Sequence, residues 1–140
     1  VIKGYQPVMS FGEDYARTDR DFQRGDELAA VAFLEQLVES GSALELGIGT
    51  GRIALPLATR GIRVDGIDLS QAMVDQLRTK PGGDRLLVTI GDFADVPVSD
   101  TYRLIYVAFN SLFNLLTQEE QIRCFENAAA HLTSDGTFVV

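Results

Sequence analysis

Short apolar runs alternate along this chain with longer stretches in which apolar positions recur every three or four residues, the spacings of buried strands and amphipathic helices. Ala43-Leu44-Glu45-Leu46 predicts a buried strand, Gly47 to Gly51 a glycine-rich turn, and Arg52 to Arg60 a helix closed by Gly61. Pro56 is expected to kink that helix or displace its start. Ile62 to Asp68 predicts a second strand. Ser70 then caps a helix reaching about Lys80, which Pro81-Gly82-Gly83 breaks. Leu86 to Ile90 and Tyr102 to Phe109 predict the third and fourth strands. Thr117-Gln118-Glu119-Glu120 has capping-box spacing and opens a helix with Ile122, Phe125, Ala129 and Leu132 on one face. Ser134-Asp135-Gly136 predicts a turn, and Thr137 to Val140 a fifth strand. Ahead of all this, Asp26 to Glu39 predicts a helix capped by Asp26 and ended by Gly41, with Leu28, Val31, Leu34, Leu37 and Val38 on one face.

Strands that alternate with helices imply right-handed crossovers. The expected fold is α/β, a Rossmann-like, doubly wound, mostly parallel sheet with helices on both faces. Residues 26–140 would form this domain, preceded by an irregular lead-in segment, residues 1–25. Ligands bind outside the carboxyl ends of the strands in such sheets, near the point where strand order reverses. The residues at those ends are Gly47 to Gly51, Asp68 to Ser70, Gly91 to Phe93 and Asn110 to Asn114.

Composition narrows the function. The 140 residues carry 12 Lys plus Arg against 20 Asp plus Glu, a net charge of −8 that argues against binding to phosphate backbones. One Cys precludes an intramolecular disulfide and a thiolate-rich metal site, and one His argues against a zinc or non-haem iron centre. No metal is therefore expected. No apolar run approaches the roughly 20 residues that span a bilayer, and no signal peptide opens the chain. A cytoplasmic protein without membrane or nucleic-acid partners is the expectation.

The sharpest signal is Glu45-Leu46-Gly47-Ile48-Gly49-Thr50-Gly51, three alternate glycines between a strand and a helix. Such a turn lets a ligand approach the backbone without interference from Cβ atoms. A dinucleotide site uses G-x-G-x-x-G, with pyrophosphate on the helix N-terminus. Gly47 and Gly49 fit it, but Arg52 stands where its last glycine belongs. Asp68 ends the second strand, where a carboxylate can accept hydrogen bonds from both hydroxyls of a ribose. It supports an adenosine ligand without choosing between cofactors.

The G-x-G-x-G form, with an acid two residues before it, resembles motif I of the class I S-adenosylmethionine-dependent methyltransferases. Gly91-Asp92-Phe93, the stretch Asp100 to Val107 and the segment from Phe109 to Val140 are similar to later parts of the same family, so the resemblance covers about residues 26–140. It implies that S-adenosylmethionine is the cofactor and S-adenosylhomocysteine its product. Glu45, Gly47, Gly49 and Gly51 would then form the cofactor turn, with Glu45 complementing the cofactor's positive charge. Asp68 would hold the ribose, Asp92 the adenine amino group, and Phe93 would flank the base with Leu69 and Met73 lying against it. Asn110 would offer a polar contact to cofactor or substrate. The lead-in Phe11 to Asp21 would close over the cofactor, with Tyr15 reaching its methionine end. Where enzymes that methylate bases or glutamine carry N-P-P-[YF], this chain reads Phe109-Asn110-Ser111-Leu112, which points away from a nucleic-acid base.

The expected activity is methyl transfer to a nitrogen or oxygen of a small molecule. No catalytic residue is assigned, and the lack of an evident base tilts the reading toward an amine. His131, the one histidine, ends a helix antiparallel to the strands and belongs at the opposite edge of the sheet. Two alternatives stay open: a truncated domain that binds S-adenosylmethionine without turnover, and a nicotinamide-dependent oxidoreductase. Arg52 and the lack of a Tyr-x-x-x-Lys pair count against the latter. Strands six and seven of the family's usual sheet are not expected within these residues, so the domain would be C-terminally incomplete; were this the whole protein, its last strand would present an edge open to association.

Overall fold

The structure, a computed structural model, describes residues 25–140. The predicted lead-in, with Phe11 to Asp21 and Tyr15, lies outside the described residues. In chain order the elements are α1 (Glu27–Val38), β1 (Ser42–Leu46), α2 (Ala54–Thr59), β2 (Arg63–Asp68), α3 (Gln71–Arg78), β3 (Leu87–Ile90), β4 (Tyr102–Tyr106), α4 (Gln118–Ala130) and β5 (Leu132–Val139). Short 3-10 turns occupy Gly83–Arg85 and Ser111–Asn114.

The five strands are all parallel, in the order β3-β2-β1-β4-β5. Leu46 pairs with Ile67, Glu45 with Tyr106, Asp68 with Ile90, and Tyr106 with Val139, which brings all five carboxyl ends to one edge. From β1 the chain winds first through β2 to β3, then returns past β1 to β4. The reversal opens a crevice between β1 and β4.

Both faces of β1 are buried, as a covered parallel sheet requires. On one face Ala43, Val64 and Leu104 pack with Val31, Leu34 and Val38 of α1, Leu57 of α2 and Leu77 of α3. On the other, Leu44, Leu46, Ile67 and Ile105 pack with Phe93, Val96, Cys124 and Ala128. This is the expected doubly wound fold.

Several local expectations need correction. Asp26 lies before α1 but its side chain makes no capping bond; Glu27 accepts from the Gly25 amide instead. Leu28 is 76% exposed, so the buried face of α1 is Val31, Leu34 and Val38. Pro56 causes no break, because it falls in the first turn of α2, where its missing N–H has no intrahelical partner to lose. The buried face of α4 is Cys124 and Ala128, whereas Ile122 and Phe125 stay exposed. Strand β5 begins at Leu132. Its pairing jumps from Tyr102–Leu132 to Leu104–Thr137, and the predicted Ser134-Asp135-Gly136 turn is the irregularity within it.

Candidate cofactor site

The turn after β1 is tied down by its own amides. Gly47 N and Ile48 N both donate to the Ile67 carbonyl, at 2.8 and 3.0 Å, and Gly51 N donates to the Ile48 carbonyl at 3.0 Å. Gly49 N donates to Asp68 Oδ2 at 2.7 Å. Gly47 and Gly49 have φ of +74° and +54°, a region that side-chain-bearing residues enter at a cost. A Cβ at Gly47 would point at Ser111 Cβ and Phe93 Cε1, 3.5 and 3.6 Å away; one at Gly49 would sit 3.1 Å from Met73 Cε. The turn, the end of β2, the start of α3 and the segments after β3 and β4 therefore meet at one place. Behind the turn, Lys80 Nζ donates to the Thr50 carbonyl at 2.8 Å, a support that no sequence spacing announces.

Asp68 closes one side. Its second oxygen accepts from Ser70 N at 2.8 Å, and Ser70 in turn caps α3 through Met73 N at 3.3 Å. Burial raises its pKa, and the amides of Ser70, Gly49 and Leu69 pull it back. Leu69 is 37% exposed beside it, while Met73 is buried. After β3, Asp92 accepts from Ala94 N at 2.9 Å and has Arg123 Nη2 of α4 at 3.4 Å from its other oxygen. Arg123 Nε pairs with Asp95 at 2.9 Å. Phe93 is buried below the Ser111 turn.

Glu45 lies deeper than the other acids, with 2% exposure. Its carboxyl accepts from Tyr106 Oη at 2.9 Å, from the strand that pairs with it, and from the backbone N–H of Ala54, the first residue of α2. Burial pushes its pKa from 4.5 up to about 8; the Tyr106 and Ala54 bonds oppose the rise and the nearby Asp68 adds to it. Tyr106 went unremarked in the sequence because a tyrosine in a buried strand reads as core. Only the register of β1 against β4 turns its hydroxyl into a partner for Glu45.

Asn110 is exposed at the mouth, its carbonyl accepting from Phe113 N at 3.0 Å. Before it, Phe109 takes a φ of +56° and lies under the Arg52 guanidinium, 5.9 Å from the ring centre. Arg52 also pairs with Glu27 at 3.5 Å, so the residue that breaks the dinucleotide pattern joins α1 to the turn after β4.

His131 lies elsewhere. Its ring nitrogens are 2.7 Å from the Asn127 carbonyl and 2.8 Å from the Val98 carbonyl, and its own carbonyl accepts from Tyr102 N at the start of β4. A cavity of about 430 Å³ also opens at that amino edge, between Leu55, Arg63, Asp65, Arg85 and Leu87. The turns that bind ligands in a doubly wound sheet are at the other edge. Among the described residues no helix is long and apolar enough to cross a membrane, and no group of three or more His, Cys, Asp or Glu is placed to hold a metal.

A glycine turn and two strand-end carboxylates at the carboxyl edge of a doubly wound parallel sheet put the fold in the Rossmann-like class. Residues 43–136 match the methyltransferase domain family, and the chain belongs to that family. It is 30% identical over 112 residues to a cypemycin N-terminal methyltransferase of a Streptomyces species, covering 80% of this chain and 46% of that protein. The solved CcbJ methyltransferase of Streptomyces caelestis shares 36% identity at a TM-score of 0.82, over 89% of this chain and 54% of that one. The fold also matches the amino pentose methyltransferase CalS10 of Micromonospora echinaspora, solved with S-adenosylmethionine bound, at 21% identity and a TM-score of 0.71, over 90% of this chain and 54% of that one. The chain thus spans about half the length of the relatives it matches.

Proposed function

We propose that this chain is the cofactor-binding part of an S-adenosylmethionine-dependent methyltransferase whose acceptor is an amine nitrogen on a small molecule. One observation carries the choice of cofactor. The amides of Gly47, Ile48, Gly49 and Gly51 all donate within the chain, which leaves none of the four to a pyrophosphate. The side chains at the same edge are instead the acids Glu45, Asp68 and Asp92, which suit a cationic ligand. This counts against the nicotinamide reading. The residues present fit the cofactor: Gly47 and Gly49 leave room that a Cβ would fill, Asp68 keeps acceptor capacity for the ribose, and Asp92 and Phe93 serve the adenine with Leu69 and Met73.

S-adenosylmethionine supplies a methyl group already activated by its sulfonium. The chain's task is then alignment and exclusion of water. A neutral amine attacks without a base, whereas a hydroxyl needs one within hydrogen-bond reach. His131 is held at the opposite edge, and the acids of the site accept from backbone amides, from Tyr106 or from Arg123. Relatives named for an N-terminal acceptor and for an amino pentose support the amine. Asn110 and Ser111, in the segment after β4, would contact the acceptor or the cofactor.

Calorimetric titration with S-adenosylhomocysteine and with NAD tests the cofactor. Binding of the first alone is expected, and Asp68→Ala should weaken it by about 1.5–3 kcal/mol, the range for hydrogen bonds to a charged group. Preference for NAD, or an unchanged affinity in Asp68→Ala, overturns the assignment. Methyl release onto an amino sugar, compared with its hydroxyl analogue, tests the acceptor and separates an enzyme from a domain that only binds.

A further inference from the structure

We propose that Tyr106 is a positioning residue for cofactor capture: its hydroxyl holds the buried Glu45 carboxyl against the first amide of α2, and so couples binding of a cationic cofactor to release of a proton from Glu45. The inference rests on the cofactor reading above and goes beyond it, since the turn and strand-end acids need no tyrosine.

The geometry is specific. Glu45 and Tyr106 are cross-strand partners on β1 and β4, 2% and 1% exposed, and the hydroxyl donates over 2.9 Å. The other partner of Glu45 is the Ala54 amide, at the opening of the helix that follows the glycine turn. One carboxyl therefore joins the strand before the turn, the helix after it and the strand across the switch point. The groups facing it are Tyr106 from β4, Asp68 from β2 and the Ala54 amide from α2, while Glu27 of α1 and Arg52 pair with each other. Among the described residues no cation is one of the groups that set its charge, and burial raises the carboxyl's pKa to about 8. A ligand carrying positive charge into the crevice favours the carboxylate, so its binding expels the proton. The donated Tyr106 bond stabilises the same carboxylate. Without it the proton is harder to remove and the cofactor binds more weakly.

Sinefungin, with an amine in place of the sulfonium, and S-adenosylhomocysteine, with a neutral thioether there, are the probes. Each is titrated into the chain by calorimetry across the pH range, in buffers of different ionisation enthalpy. In the parent, sinefungin affinity should rise with pH through about 8 with proton release, more steeply than that of S-adenosylhomocysteine. Tyr106→Phe keeps the ring and should move that inflection upward, with about tenfold weaker sinefungin binding near neutral pH, the scale of one hydrogen bond to a charged group. Glu45→Gln should abolish the inflection, and Tyr106→Phe added to Glu45→Gln should change nothing further. A purely structural tyrosine would lower melting temperature without moving the pH profile. An unmoved inflection in Tyr106→Phe, or additive effects in the double variant, overturns the proposal while leaving the cofactor reading intact. Failure of the parent to bind either probe overturns both.

Discussion

A carboxyl with 2% exposure must be partnered or neutral, and Glu45 is partnered while its ionised form is disfavoured. The consequence for stability has a definite sign. Its pKa in the folded chain lies above the unfolded value of 4.5, so folding takes up a proton between 4.5 and about 8. The stability it contributes is present in full below 4.5 and is lost as pH rises through about 8. Each unit of difference corresponds to about 1.4 kcal/mol, which makes the loss a few kcal/mol. Glu45→Gln cannot ionise and should remove this part of the pH dependence. Urea denaturation at about pH 5 and about pH 8.5 measures it, the variant gaining on the parent at the higher pH. An equal decline in both proteins would assign the dependence to another group. Glu45, Asp68 and Asp92 were readable as candidate acids because they lie within, at the end of, and just after three consecutive strands. Their surroundings were not. That Asp68 grips Gly49, or that Glu45 sits under Tyr106, depends on register between strands distant in sequence.

Elements were legible where the signal is local chemistry. The Thr117–Glu120 capping box forms as read: Thr117 Oγ1 accepts from Glu120 N at 3.2 Å, and the Glu120 carboxylate accepts from the amides of Thr117 and Leu116 at 3.0 and 2.9 Å. Thr117→Ala should cost about 1 kcal/mol, since it leaves one first-turn amide to water alone. Thermal or urea unfolding checks this, and Thr117→Ser should recover most of the loss. A neutral Thr117→Ala would show that packing of α4, and not its cap, fixes the helix start. Which face of α4 turns inward was harder to read. Apolar periodicity selects Ile122 and Phe125 for their size, yet α4 approaches the sheet through Cys124 and Ala128. Phe125 stays at the rim, edge to face with Phe138 of β5 at 5.1 Å. Small side chains permit close approach of a helix to a sheet, and a scan for large apolar residues passes over them.

At the scale of the whole molecule, one property organises the chemistry: five parallel strands give the sheet two unlike edges. The carboxyl edge carries the glycine turn, Asp68, Asp92 and the Asn110 mouth. The amino edge carries a separate polar network, in which Tyr102 Oη donates to Asp65 at 3.0 Å and Arg63 bonds Asp65 and Asp100 at 2.7 and 2.6 Å. His131 belongs to this second edge, because α4 runs back against the strands and its C-terminus arrives where β4 begins. A typical five-residue strand is roughly 17 Å long, so its ring is about a strand length from the crevice. A proton acceptor must come within hydrogen-bond distance of its donor, directly or through one water. His131→Gln should therefore leave S-adenosylhomocysteine affinity, and methyl transfer wherever turnover is measured, within about twofold of the parent. The cost should fall on stability, because the ring's contacts with the Asn127 and Val98 carbonyls fasten the end of α4 to the segment before β4. A loss of about 1 kcal/mol, the net value of an ordinary hydrogen bond, is expected in urea. A hundredfold fall in turnover with unchanged stability would require the histidine to reach the crevice, which a parallel sheet of this order does not allow.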